Sequence, residues 1–200
     1  MSRIILARHG RPVLDLRTRI PGHGLAGWLD IEREAPLDAT SRPGVDLERL
    51  ARSARHLIVS PLRRSRDSAL LLAPASALVI QDPIREAALP SAFRSSWRLP
   101  PMLWAGVARA GWFCGWSPGV ESFGHARDRA QRAARMLQAR AEQEEGEGEG
   151  DVIVIGHGLM NALIAAQLRA LGWHGPPFPS RSHWGFGTYS RARQLTQLAE

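Results

Sequence analysis

The chain has 200 residues, 44% of them hydrophobic and 22% charged, a balance that buries a core without disulfide or metal staples. Cys114 is the only cysteine, which excludes an intramolecular disulfide and a cysteine-built zinc cluster. The 26 basic residues are all arginine and outweigh 19 acidic ones for a net charge of +7; they are spread along the chain rather than gathered in a basic arm. A nucleic-acid surface is therefore not expected, whereas a positive cleft that concentrates a small anion is.

No basic-then-apolar leader opens the sequence, and no apolar run reaches the roughly 18 residues of a membrane span. These features predict one domain over residues 1–200, cytoplasmic and not membrane-bound. In chain order, Arg3–Ala7 reads as a buried strand ending at Arg8-His9-Gly10. Residues 15–40 carry Pro21, Gly22, Gly24, Gly27 and Pro36 without a clear period, and read as a long loop with at most a short helix. Asp46–Ala54 predicts a helix, His56–Ser60 a second buried strand, Leu62–Ala73 a helix stopped by Pro74, and Ala77–Ile80 a third strand.

Residues 84–119 hold Trp97, Trp104, Trp112 and Trp116 among four prolines, the composition of a small inserted cap or of a satellite core cluster. Glu121–Ala141 predicts a long helix. The acid-and-glycine run 142–151 reads as a solvated surface loop. Asp151–Ile155 is a fourth strand ending at Gly156-His157-Gly158, Asn161–Leu171 is a helix, and the segment from His183 reads as a turn with one or two edge strands. Strands alternating with helices predict a three-layer α/β/α sandwich around a mostly parallel sheet.

Sites in open α/β sheets form where strands end at their carboxyl edges. Three predicted strands end in residues suited to an anion: Arg8-His9, Ser60-Pro61 with Arg63 one turn on, and His157 at a helix start. Neutral imidazole is a competent nucleophile towards phosphorus, and guanidinium forks match phosphoryl oxygens, so the set suits phosphoryl transfer without a metal. No carboxylate cluster suited to Mg²⁺ or Ca²⁺ accompanies it, and neither metal nor cofactor is expected.

Leu6-Ala-Arg8-His9-Gly10, Ser60-Pro-Leu-Arg63 and Gly156-His157-Gly158, in this order and spacing, resemble the signatures of the histidine phosphatase superfamily, with its phosphoglycerate mutase-like fold. The resemblance covers residues 3–170, with Gly119-Val-Glu121-Ser122 opening the long helix. It implies that His9 accepts the phosphoryl group, that Arg8, Arg63 and His157 hold its oxygens, and that Glu86, after the third strand, serves as the acid and base. Glu121 is the competing acid, at a helix start where the dipole alone accounts for a carboxylate. Where many members follow Arg-His-Gly with Glu or Gln, Thr and later Asn, this chain has Arg11, Pro12 and Asp15. Arg11 lies close enough to His9 to reach substrate, and His183 follows a segment able to return to the cleft.

The resemblance implies a metal-independent phosphomonoesterase acting on a small phosphorylated substrate. The alternatives are a phosphoglycerate-type mutase, a phosphate-binding sensor on the same fold, and a protein phosphohistidine phosphatase. The motifs specify neither the natural substrate nor the oligomeric state.

Overall fold

The computed structural model describes residues 3–142 and 151–191. The acidic run expected to be a surface loop therefore lies, over 143–150, outside the described residues. The elements are β1 (Arg3–Arg8), β2 (Ile20–Pro21), α1 (Leu25–Glu34), α2 (Val45–Ser53), β3 (Ala54–Val59), α3 (Arg63–Leu70), β4 (Leu78–Ile80), β5 (Arg98–Leu99), α4 (Pro101–Phe113), α5 (Phe123–Glu142), β6 (Asp151–Gly156), α6 (Gly158–Ala170) and β7 (Phe186–Ser190).

Five strands form the central sheet in the order β4-β3-β6-β1-β7. The pairs β4–β3, β3–β6 and β6–β1 are parallel, and only the edge strand β7 runs antiparallel, on β1. All six residues of β6 are buried, which is why its centre is an unbroken apolar run, Val152 to Ile155. Side chains alternate across the pleat. Ile4, Leu6, Ile58, Val152 and Val154 face one core, and Ile5, Ala7, Leu57, Val59, Ile153 and Ile155 the other. The first core is closed by α5 and α6, the second by α2 and α3, so the three-layer mixed α/β sandwich is observed. On α5 the buried face is built from Ala126, Ala130, Ala133, Ala134, Leu137 and Ala141, whose small side chains let the helix lie close to α6 and the sheet.

The stretch expected to be a long loop with at most a short helix contains α1, a helix of ten residues. Its apolar residues Leu25, Trp28 and Leu29 recur at helical spacing and pack with Trp104 and Ala108 of α4 in a third, smaller cluster. The glycines and prolines that masked this period lie mainly before Leu25 and after Glu34, where they form the turns that enter and leave the helix. The four tryptophans of residues 84–119 divide their work. Trp104 anchors the α1–α4 cluster, Trp112 belongs to the main core, Trp116 packs tilted against Phe93 with ring centroids 4.9 Å apart, and Trp97 is exposed. Among the described residues no helix is long and apolar enough to cross a membrane.

Leu137 is fully buried between α5 and the sheet. Leu137→Ala is expected to cost about 2–5 kcal/mol of stability, against less than about 0.5 kcal/mol for Arg135→Ala on the exposed face. Urea unfolding followed by tryptophan fluorescence measures both; equal midpoints would contradict the packing described.

Candidate active site

Because β3, β6 and β1 are adjacent and parallel, their carboxyl ends open on one edge of the sheet. That edge collects His9 after β1, Ser60 after β3 and His157 after β6. The His9 and His157 rings lie 5.1 Å apart between centroids, edge to face. His9 Nδ1 meets the Gly10 carbonyl at 2.7 Å. A carbonyl only accepts, so Nδ1 carries the proton and Nε2 keeps its lone pair. Arg64 Nε donates to that Nε2 at 3.1 Å.

The arginine at His9 is thus Arg64, and the expected Arg63 is not brought to the cluster. The phase of α3 decides between them. Arg64 shares the inward face with Ser65, Ser68 and Ala69, whereas Arg63 lies on the outward face, 3.6 Å from Asp67 one turn on. Their side chains are 5% and 47% exposed. Arg63 Nη1 instead donates to the carbonyl of Glu34 at 3.1 Å, fastening the end of α1.

His157 is fully buried at the start of α6. Its Nε2 lies 2.7 Å from Ser60 Oγ and 3.3 Å from Ser65 Oγ. With the nearer hydroxyl, that of Ser60, as donor, Nε2 accepts and the proton sits on Nδ1; with Nε2–H as donor the roles reverse. Among the described residues His157 Nδ1 and Arg8 Nε are buried without a hydrogen-bond partner; Arg8 Nε is a donor available to an oxyanion, and Nδ1 is one in the tautomer that carries its proton there. Arg8 also donates from Nη1 to the Arg181 carbonyl.

Glu86 lies across the start of α6, accepting backbone N–H bonds from Met160 at 3.1 Å, Leu159 at 3.4 Å and Ala87 at 3.0 Å. Glu121 does not reach the cluster. Its carboxylate is gripped by Arg129 through Nε at 3.0 Å and through Nη2. Arg129 Nη1 then donates to the carbonyls of Pro83 at 2.8 Å and Arg85 at 2.7 Å, which fixes the backbone leading into Glu86.

Arg11 is bound to Asp38 at 2.9–3.0 Å and to Thr40 at 3.2 Å. Asp15 accepts from the backbone of Arg17 and Thr18 in a local turn. His183 does return, with its ring centroid 5.7 Å from that of His9. Its placement depends on Trp184, which takes the left-handed φ of 62° and donates its backbone N–H towards the carbonyls of Arg8 and His9 at 3.2 and 3.4 Å. Trp184 Nε1 is tied to Ser41 Oγ at 2.8 Å. Sequence reasoning also passed over Glu32 of α1, whose carboxylate lies 3.2 Å from Arg64 Nη1.

Burial is the main force on the titrating groups. It drives His9 well below the ordinary imidazole value of 6.5, with the adjacent Arg64 charge acting in the same direction. His157 is lowered likewise, by burial and then by His9, and His183 by burial and the nearby Arg8 and Arg11. Burial pushes Glu32 up against the opposing pull of Arg64. Among the described residues no group of three or more His, Cys, Asp or Glu side chains is placed to hold a metal ion.

Residues 4–182 match the family model of the histidine phosphatase superfamily, branch 1. The chain belongs to this superfamily. Its structure is similar to that of mycobacterial glucosyl-3-phosphoglycerate phosphatase in complex with VO3, with TM-score 0.63 and 20% identity over 95% of this chain and 91% of the other. It is also similar to Bacillus stearothermophilus YhfR, with TM-score 0.57 and 17% identity over 97% and 96% of the two chains. Entamoeba histolytica phosphoserine phosphatase in complex with 3-phosphoglyceric acid gives TM-score 0.53 and 18% identity over 85% and 81%. At these identities the likeness is one of fold, the phosphoglycerate mutase-like sandwich. No curated protein sequence matches the chain.

The imidazole shifts set the pH response of stability. His9 and His157 are held neutral when folded and gain a proton when unfolded below pH about 6.5, and His183 shifts in the same direction, so unfolding takes up protons and stability falls as pH drops below about 6.5. His9→Gln is expected to make that decline in Tm shallower. A decline as steep as in the native protein would contradict the buried, neutral state of His9.

Proposed function

We propose that the protein is a metal-independent phosphatase of small phosphomonoesters, working through a phosphohistidine on His9. The observation that carries this reading is the fixed tautomer of His9: Nδ1–H donates to Gly10 and leaves the Nε2 lone pair facing the Arg64 guanidinium. An oxyanion attracted to Arg64 is thereby delivered to an unprotonated nucleophile. The low proton affinity of His9 supports the same role, because the ring is neutral at pH 7.

In the first step Nε2 attacks phosphorus, the N–P bond forms and the ester P–O bond breaks. The departing oxygen takes a proton from the Glu86 carboxyl group. Arg64 Nε turns from the lone pair to the phosphoryl oxygens, which Arg8 Nε and His157 Nδ1 also serve as donors. The ring stays anchored throughout, since Nδ1 keeps its proton on Gly10. In the second step water attacks phosphorus, the N–P bond breaks, and Glu86 recovers its proton from that water. Phosphate leaves and His9 is regenerated neutral.

A small substrate suits a site set at a sheet edge and bordered by Glu32 of α1 and by His183. The similarity to structures of enzymes named for glucosyl-3-phosphoglycerate and phosphoserine supports the same class. A mutase reading gains no specific support from these comparisons.

Turnover of p-nitrophenyl phosphate in EDTA is expected in the native protein and reduced by roughly three orders of magnitude in His9→Ala. Activity that survives His9→Ala would exclude the covalent route. Arg64→Ala is expected to lower kcat/KM by more than about tenfold, and Arg63→Ala to change it by less than about threefold, because only Arg64 touches the nucleophile. Glu86→Gln should slow alkyl phosphates, whose leaving oxygen needs a proton, far more than aryl phosphates. Equal losses on both would remove Glu86 from the acid role.

A further inference from the structure

Arg64 is held from two sides. Its Nε donates to His9 Nε2 at 3.1 Å, while Nη1 donates to the Glu32 carbonyl at 3.3 Å and lies 3.2 Å from the Glu32 carboxylate. Guanidinium is a rigid planar fork, so fixing Nη1 fixes the direction in which Nε points. Arg63 bonds the Glu34 carbonyl in the same turn, so two adjacent arginines of α3 bond carbonyls in the last turn of α1, where the Glu32 carbonyl also accepts from Ala35 N–H at 3.4 Å. The α1 helix is thereby docked on the site through Glu32 and Glu34.

We propose that Glu32 is a positioning residue of the phosphoryl site: it holds Arg64 through Nη1 beside His9, within reach of a phosphoryl group there, and, as a resident anion on the same guanidinium, weakens the hold on an incoming oxyanion. The inference rests on reading His9 and Arg64 as the phosphoryl site. The two effects oppose each other in a useful way. Orientation favours attack, while partial neutralisation of Arg64 favours release of inorganic phosphate after hydrolysis. Every charged group facing Glu32 enters the balance: Arg64 from α3, Arg8 from the end of β1, Arg33 from its own helix and Glu86 from the segment after β4. Arg64, Arg33 and Arg8 favour the carboxylate, whereas burial and the like charge of Glu86 favour the neutral acid. As pH falls and Glu32 takes its proton, Arg64 is freed to bind anions more tightly.

Glu32→Gln keeps an oxygen for Nη1 but removes the charge; Glu32→Ala removes both. The test is calorimetric titration of inorganic phosphate into the native protein and the two variants, alongside kcat and Tm. Glu32→Gln is expected to tighten phosphate binding roughly tenfold while kcat stays within about threefold. Glu32→Ala leaves Nη1 only the backbone carbonyl at 3.3 Å, and the loosened guanidinium is expected to lower kcat several-fold below that of Glu32→Gln. The ratio of native to Glu32→Gln Kd should fall towards one as pH is lowered through the titration of Glu32; the ionisation of phosphate itself cancels in that ratio.

An unchanged phosphate Kd in folded Glu32→Gln overturns the proposal, as does a Glu32→Ala kcat equal to that of Glu32→Gln. A purely structural Glu32 would lower Tm in both variants and leave Kd unmoved, which also counts against it. If the native protein binds no phosphate, this inference and the reading beneath it fall together. If phosphate binding follows the charge at position 32 while no phosphohistidine forms, Glu32 keeps its role and the covalent mechanism is what fails.

Discussion

The hydrogen bond from His9 Nδ1 to the Gly10 carbonyl is the constraint on which the site depends. A histidine bonded to the carbonyl of the next residue needs a tight backbone, and here that backbone is held from several directions. Gly10 N–H donates to Ser68 Oγ at 2.9 Å, and Ser68 Oγ donates to the Arg64 carbonyl at 2.6 Å. The loop that carries the nucleophile is therefore tied to the helix that carries its arginine. Only glycine fits at position 10, because a Cβ there would lie 2.6 Å from the Trp184 ring and 2.7 Å from Leu37. Moving that ring would disturb the turn that brings His183 beside His9.

The sheet supplies the second requirement, that distant segments meet. β6 lies between β3 and β1, and its complete burial makes it the rigid axis of the sandwich. A buried strand cannot slip register without turning its apolar side chains into the wrong core. Ser60, His9 and His157 are consequently fixed relative to one another by strand pairing rather than by their own contacts. Gly156 continues this precision at the last position of β6, where a Cβ would lie 2.4 Å from Asn161 Oδ1. Asn161 in turn donates to the Ala7 carbonyl at 2.9 Å and joins α6 to β1. The polar groups that make these joints are buried, so each must find its partner for the site to be well formed.

Much of this arrangement was legible in the sequence, because the strands announce themselves as short apolar runs and their ends carry the polar signatures. His9 and His157 follow directly from that pattern, and so does their meeting at one sheet edge. The second arginine differs in place from the expectation, Arg64 rather than Arg63 lying at His9, because helical phase and not nearness to Ser60 decides which of the two faces inward. Ser65, Ser68 and Ala69 are small residues one to five positions after Arg64 and mark its face as the inward one; Asp67 marks the face of Arg63 as outward. Glu32 was lost for a related reason. Leu25, Trp28, Leu29 and Glu32 recur at helical spacing, but the surrounding glycines and prolines hid a helix whose stability comes from packing on α4. The return of His183 had a weaker signal still, since it depends on a left-handed tryptophan that no local propensity favours.

The electrostatic logic of the site follows from burial of unlike groups together. Arg64 stays charged beside a histidine that stays neutral, and the carboxylate of Glu32 completes the balance without touching the nucleophile's lone pair. The central claim is that this environment presents His9 as a neutral ring with its proton on Nδ1. ¹⁵N NMR of the imidazole nitrogens, assigned by comparison with His9→Ala, measures this directly. The account predicts at pH 7 a protonated Nδ1 and an unprotonated Nε2, with no conversion to imidazolium down to pH 6. An imidazolium at neutral pH, or the proton on Nε2, would contradict it.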